Sequence, residues 1–130
     1  MLRVLDIATG NLMGETFVDT GQRSFTIVRA TAVNKTLLIS DNRNRTQAYT
    51  LDTDEPVGRQ FGRLSSLDAK LGRICLENTD GDVSIYDGAS MKEVAHFNFP
   101  AAVSYSGFSG DGQRLLVVTA QQKVYIQPLP

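Results

Sequence analysis

The amino-acid sequence predicts an all-β protein made of repeated four-stranded antiparallel sheets. Apolar residues recur with a period of two along most of the chain, as expected of strands with a buried face. No long window holds apolar residues at i, i+3, i+4 and i+7, so helices are not predicted. The prolines stand in turns or near the chain end, where a missing N–H disturbs a sheet least.

One strand–turn–strand pattern recurs along the chain without gaps. It occupies residues 37–49, recurs at 74–86 after a shift of 37, and recurs at 115–127 after a further shift of 41. Each copy holds an apolar strand, a short polar turn and a strand of alternating character, and residues 2–6 match the second strand of a fourth copy. Such spacings are typical of the four-stranded blades of a β-propeller, which repeat roughly every 40–45 residues.

The repeats divide the chain into blades. We expect one domain over residues 1–130, with a partial blade at 1–20, complete blades at 21–62 and 63–100, and a partial blade at 101–130. Propellers close with about 4–8 blades. Two complete and two partial blades therefore predict either a piece of a longer propeller or a chain completed by self-association, and both alternatives stay open.

Two motifs resemble parts of a WD-repeat blade. Asp-Gly-Asp-Val-Ser-Ile-Tyr-Asp at 80–87, followed by Lys-Glu-Val at 92–94, resembles the family's strand and turn. Phe-Ser-Gly-Asp-Gly-Gln-Arg-Leu-Leu at 108–116 resembles its turn from the inner strand into the second strand. Tyr86-Asp87 stands where the family has Trp-Asp, so the repeats are degenerate. The resemblance implies strands a to d in each blade, counted outward from a central channel, in the order c–d, a–b–c–d, a–b–c–d, a–b–c.

Composition narrows the classes of function. The net charge of −1 supplies no basic field for nucleic acid or an anionic membrane, and no apolar run approaches the roughly 20 residues of a membrane span. Arg3 and Asp6 interrupt the apolar start, so no secretory signal is predicted. Cys75 is the single cysteine, which excludes an internal disulfide and is consistent with a reducing compartment. We expect a cytoplasmic protein.

The residues that could carry chemistry are interpreted as structural. His96, the single histidine, is placed on an outer edge strand, and Cys75 is placed inside a buried strand. Asp80, Asp82 and Asp87 fit turn chemistry better than a calcium loop, because the required run of oxygen ligands is absent. No catalytic residue, metal site or cofactor is predicted, and the chain is not expected to be an enzyme.

Five arginines form the predicted partner-binding set. Arg43 and Arg45 fall in a b–c turn, Arg59 and Arg63 flank a d–a connection, and Arg23 belongs to the preceding d–a connection. In a propeller these turns and connections open on one face. Arginine is favoured in interface hot spots and binds carboxylates with two hydrogen bonds. The alternative is a solvated surface of mixed charge.

Three functions compete. The first is a protein-interaction scaffold that binds a protein partner through its loop face. The second is a ligand-binding or enzymatic propeller with a site at the central channel. The polar residues available on the inner strands for that site are Thr26, Arg29, Ser65, Ser66, Asp68, Ser104 and Ser106. The third is a structural segment that self-assembles into a homo-oligomer.

Overall fold

The computed structural model describes residues 2–16, 26–33, 35–50 and 56–130, and it confirms the all-β prediction. The strands in these ranges are β1 (Leu2–Leu5), β2 (Leu12–Thr16), β3 (Ile27–Val33), β4 (Thr36–Asp41), β5 (Arg45–Thr50), β6 (Pro56–Phe61), β7 (Arg63–Asp68), β8 (Arg73–Thr79), β9 (Asp82–Asp87), β10 (Glu93–Asn98), β11 (Val103–Phe108), β12 (Arg114–Thr119) and β13 (Val124–Pro128). No helix occurs among the described residues, and so none of them forms a helix able to cross a membrane.

The strands form separate antiparallel sheets in which neighbours in the chain are neighbours in space. Strands β3 to β6 make one four-stranded sheet and β7 to β10 make another. Strands β1 and β2 pair with each other before them, and β11 to β13 form a three-stranded sheet after them. The predicted four-stranded antiparallel sheets are therefore confirmed. That residues 1–130 form a single domain with the stated blade limits stays a prediction.

The sheet of β7 to β10 is buried on both faces. Against the sheet of β3 to β6 it forms a cluster of Leu38, Ala48, Leu64, Ile74, Leu76, Tyr86 and Met91. Against the sheet of β11 to β13 it forms a cluster of Cys75, Val83, Ile85, Val103, Leu115 and Val117. Successive side chains of a strand point to opposite faces, which is why Ile74 and Leu76 join the first cluster and Cys75 joins the second. Burying one large apolar side chain contributes about 1.5–3 kcal/mol.

The first strand of each larger sheet carries a β-bulge. In β3, β7 and β11 the pairing register shifts by one residue near the start of the strand, and the extra residues are Val28, Ser65 and Ser104. Strand β7 contacts both β3 and β11, so the three strands lie side by side. A bulge redirects the side chains around it, and it is common beside functional sites.

Candidate functional site

A groove of about 400 Å³ lies where the β4–β5 turn meets the connection from β6 to β7. We call this end of the sheets the loop face; it carries residues 42–44 and Gly62. The groove is lined by Val28, Arg29, Ser40, Asp41, Asn42, Asn44, Arg63 and Leu64. The predicted loop face therefore has a concave surface with two guanidinium groups in its wall.

Arg45 belongs to the interior of this turn. Its Nε and Nη2 atoms both lie 2.7 Å from Oδ2 of Asp41. The other carboxylate oxygen of Asp41 accepts the backbone N–H groups of Arg43, at 2.8 Å, and of Arg45, at 3.2 Å. The Asp41 side chain is 1% exposed and that of Arg45 is 11% exposed. The ion pair thus holds the turn together from inside.

Arg63 is held in place by the buried Glu77. The Nη2 atom of Arg63 pairs with Oε1 of Glu77 and donates to the carbonyl oxygen of Val103 at 3.1 Å. The second oxygen of Glu77 accepts the backbone N–H of Gly81 at 3.0 Å and that of Val103 at 2.6 Å. Glu77 therefore ties the β8–β9 turn, the start of β11 and Arg63 together, while 54% of the Arg63 side chain stays exposed.

The predicted arginines do not all reach the groove. Arg63 lines it, and Arg43 lies half-buried in the adjacent turn. Arg59 is exposed on β6, paired in register with Gln47, and is not part of the lining. Arg23 lies outside the described residues. A partner-binding role for these arginines, including the internally paired Arg45, stays a prediction.

A larger cleft of about 540 Å³ lies along β3, β7 and β11. Its lining consists of Arg29, Arg63, Ser65, Ser66, Leu67, Ser104, Tyr105, Ser106, Gly107 and Phe108. Five of the seven polar residues predicted for the channel are among them. The other two lie elsewhere: Asp68 accepts backbone N–H groups of the following turn, and the Thr26 N–H donates to Asn42.

Three serine hydroxyls form a chain in this cleft. Oγ of Ser106 lies 2.5 Å from Oγ of Ser65 and 2.7 Å from Oγ of Ser66. Ser106 also lies within 3.9 Å of the Cys75 sulfur. Ser65 and Ser66 are consecutive, and in a regular strand they would point to opposite faces. The bulge at Ser65 is what lets both reach the same hydroxyl.

The remaining candidates take structural positions. Cys75 is fully buried, and burial raises the pKa of its thiol to about 11. His96 lies on the edge strand β10, with Nε2 2.6 Å from Oδ1 of Asp82 and Nδ1 3.1 Å from Oγ of Ser84. Asp87 accepts a hydrogen bond from the Ser90 hydroxyl at 2.7 Å, and Asp80 lies in the β8–β9 turn. Within the described ranges, no group of three or more potential ligands could hold a metal ion.

Glu77 and Asp41 were missed by the sequence reasoning. Glu77 directly follows the apolar run Ile74-Cys75-Leu76, and a charge at such a position signals a buried partner. Asp41 stands four residues before Arg45 across a tight turn, which is a spacing that permits an ion pair. Their hydrogen-bond partners come from distant strands, as with Glu77 and Val103, and sequence spacing does not reveal those.

No protein-family model matches the chain, and no curated protein matches it. Its backbone is similar to solved structures. The computationally designed Ika4 protein matches with a TM-score of 0.71 and 13% identity, over 98% of this chain and 79% of Ika4. The designed Ika8 protein matches with a TM-score of 0.70 and 13% identity, over 98% of this chain and 39% of Ika8. BamB from Moraxella catarrhalis matches with a TM-score of 0.66 and 16% identity, over 98% of this chain and 37% of BamB.

The chain folds as blades of a β-propeller. The similarity extends over nearly all of the chain, and the four-stranded meanders of β3 to β6 and β7 to β10 are the blades. At 13% to 16% identity the likeness shows the fold alone. This chain spans 39% of Ika8 and 37% of BamB, so the propeller neighbours include much longer chains.

Proposed function

We propose that the chain is a protein-interaction module of the WD-repeat-like propeller type, acting by binding and not by catalysis. Its site is the loop-face groove, and its partner is an acidic protein segment with an apolar anchor residue. Recognition loops on a rigid β scaffold support this proposal, since such a scaffold limits the entropy lost on binding.

The observation that carries the proposal is an exposed aromatic residue beside an arginine. Phe61 ends β6 and is 70% exposed. It lies beside the groove rather than in its lining: the next residue, Gly62, donates its N–H to the carbonyl oxygen of Asn44 in the lining at 2.7 Å, and Arg63 follows. Val28, 66% exposed, lies in the wall of the groove near the start of β3. Aromatic and arginine side chains are enriched at interface cores, and they dominate binding energy there.

The charge of the groove favours an acidic partner. Arg29 and Arg63 line the groove, and Arg43 lies in its turn. Among the described residues of the lining Asp41 is the one carboxylate, and its charge is balanced by the ion pair with Arg45. Within the described lining, an acidic segment would therefore meet two guanidinium groups and a carboxylate whose charge is balanced by Arg45.

Selection from a random peptide library displayed on phage tests this proposal. We expect enriched peptides to carry Asp or Glu next to Leu or Phe. Phe61→Ala should weaken the best peptide at least 10-fold, or about 1.4 kcal/mol, and Arg43→Gln should weaken it by a smaller factor through the loss of one charge.

Leu71→Ala is the matched control, because Leu71 is also exposed, at 46%, but lies in the β7–β8 turn. It should leave peptide binding unchanged. An equal loss in Phe61→Ala and Leu71→Ala would remove the loop-face site, as would a selection with no acidic enrichment.

A second candidate is a structural role through self-assembly, favoured by one open face of the last sheet. Leu115 and Val117 of β12 pack against the preceding sheet, whereas Leu116, Val124 and Ile126 are exposed at 36%, 61% and 65%. A shallow pocket of about 280 Å³ on this face is bordered by Tyr105, Leu116 and Ile126, among other residues. An apolar sheet face of this kind favours association with another sheet.

A further inference from the structure

We propose that the cleft along β3, β7 and β11 binds the oxyanion of a small molecule, either a carboxylate or a phosphate group. Arg29 and the hydroxyl chain of Ser65 and Ser106 are the proposed ligands of the oxyanion. The cleft borders the loop-face groove, but the proposal does not depend on a protein partner, and it stands or falls on residues of the inner strands.

Arg29 is oriented for this task by the backbone. Its Nη1 atom donates to the carbonyl oxygens of Leu64, at 3.0 Å, and Ser65, at 3.2 Å. A guanidinium has five N–H donors in a fixed plane, so these bonds fix its orientation and leave donors on Nη2 and Nε. Such a fork matches the geometry of a carboxylate or phosphate.

The charge of the cleft is one-sided. The part of its lining that the structure describes contains the guanidinium groups of Arg29 and Arg63 and no carboxylate. Glu77 lies outside the lining and binds Arg63 through Nη2. The other two nitrogens of that guanidinium form no hydrogen bond with Glu77. A bound anion would thus meet Arg29, for which the described residues supply no acidic partner, and Arg63, which Glu77 holds in place.

The serine chain can supply a further donor. Ser65, Ser66 and Ser106 have three hydroxyl protons between them, and the two contacts that join them use two. Ser106 can also donate to the Cys75 sulfur at 3.9 Å. When it donates to Ser65 instead, the Ser65 proton is free to point into the cleft. An anion there would favour that arrangement, because a hydrogen bond to a charged acceptor is about twice as strong as a neutral one.

The bulges explain why these groups converge. Ser65 and Ser104 are the extra residues of the β7 and β11 bulges, and both line the cleft. Strand alternation alone would place only every second side chain there. The bulges thereby increase the number of hydroxyls that face the cleft.

The size of the cleft fits a small molecule. Its volume of about 540 Å³ lies within the range of roughly 300–1,000 Å³ that is usual for small-ligand sites. Leu67, Phe108 and the ring of Tyr105, which is 58% exposed, supply an apolar wall. The ligand class is therefore a small molecule that carries an oxyanion beside an apolar or ring portion.

Calorimetric titration of the full chain with inorganic phosphate and, separately, with succinate tests the proposal. We expect saturable binding of at least one probe in the millimolar range or tighter, and the tighter probe identifies the source of the oxyanion. Arg29→Gln should weaken binding at least 10-fold, Arg29→Lys by a smaller factor because the charge is kept, and Ser65→Ala about 3-fold or more.

Arg3→Gln is the matched control for charge, since Arg3 lies on β1 in an exposed pair with Glu15. It should leave binding unchanged, and so should Phe61→Ala, which separates this site from the protein-binding groove. Circular dichroism checks that each variant is folded. Where a variant does not fold, Ser104→Ala replaces it in the titration, because Ser104 also lines the cleft and is exposed. Equal weakening by Arg3→Gln and Arg29→Gln would overturn the proposal, as would no saturable binding of either probe.

Discussion

At the scale of single residues, charged side chains have two different roles in this protein. Asp41–Arg45 is an internal pair that stabilises a turn, whereas Arg63 is anchored by Glu77 and still presents more than half of its surface to solvent. The sequence predicted which turns and connections carry these arginines. It could not predict which of them form ion pairs within the chain, because Glu77 and Arg63 meet only through the pairing of β7 with β8.

Arg45→Ala should destabilise the fold by about 3–5 kcal/mol, because it leaves the carboxylate of Asp41 buried and unpaired. Arg3→Ala is the control, since Arg3 and Glu15 form a pair with side chains 66% and 39% exposed. An exposed pair of this kind contributes about 0–1 kcal/mol. Urea denaturation of both variants measures the difference, and similar losses in the two would contradict a structural role for the Asp41–Arg45 pair.

Cys75 should react slowly with alkylating reagents in the folded chain. Burial raises the pKa of its thiol from 9.0 to about 11, against the opposing effect of hydrogen bonds with Ser106 and Ser66. At neutral pH this lowers the thiolate fraction about 100-fold, and the thiolate is the reactive form. Iodoacetamide labelling in buffer and in concentrated urea checks this, and equal rates would contradict it.

The same shift makes stability depend on alkaline pH. The pKa of the Cys75 thiol is higher in the folded chain than in the unfolded chain. The stabilising contribution of the buried neutral thiol is therefore complete below pH 9 and is lost as the pH rises towards 11. Cys75→Ala should show a smaller loss of stability over this window, by up to about 3 kcal/mol. Urea midpoints measured across the window give the comparison.

At the scale of elements, periodicity predicted the strands and the bulges altered their alignment. A shift of 41 correctly matches Leu67 with Phe108, because their ladder partners Ile74 and Leu115 are also 41 apart. The same shift matches Leu64 with Tyr105, yet Leu64 is 1% exposed and Tyr105 is 58% exposed. The bulge of β11 precedes Tyr105, whereas that of β7 follows Leu64. Aligning the repeats of the sequence without gaps cannot show where a strand contains such an extra residue. The convergence of serines at the cleft could therefore not be predicted.

The β8–β9 turn depends on Gly81. Its φ is +80°, and a Cβ there would lie 2.2 Å from the carbonyl oxygen of Phe99 and 2.9 Å from that of Ala101. Gly10 has a similar φ of +71° with nothing within 4 Å of its Cβ position. Gly10→Ala should thus cost about 1–2 kcal/mol for the left-handed conformation alone. Gly81→Ala should cost clearly more, because backbone must also move, and equal urea midpoints for the two variants would refute this.

At the scale of the whole molecule, neighbouring sheets bury each other's apolar side chains. The sheet of β7 to β10 has a partner on either side, and both of its faces are closed by apolar clusters. The sheet of β11 to β13 has a partner on one face only among the described residues, and its other face keeps Val124 and Ile126 exposed. The spacing of the repeats predicted the sheets. It could not predict how much of the outer face of the last sheet is exposed, because that depends on how the sheets pack.

This open face should make the isolated chain self-associate with increasing concentration. Light scattering after gel filtration should give the mass of one chain at low concentration and a larger mass at high concentration. Ile126→Lys places a charge on this face, in the middle of strand β13, and burying an unpaired charge is costly, so the association should weaken at least 10-fold. Leu71→Lys adds the same charge to an exposed apolar residue in the β7–β8 turn and should leave association unchanged. A constant mass of one chain at every concentration would exclude self-assembly through this face, and an equal effect of the two lysine variants would place the interface elsewhere.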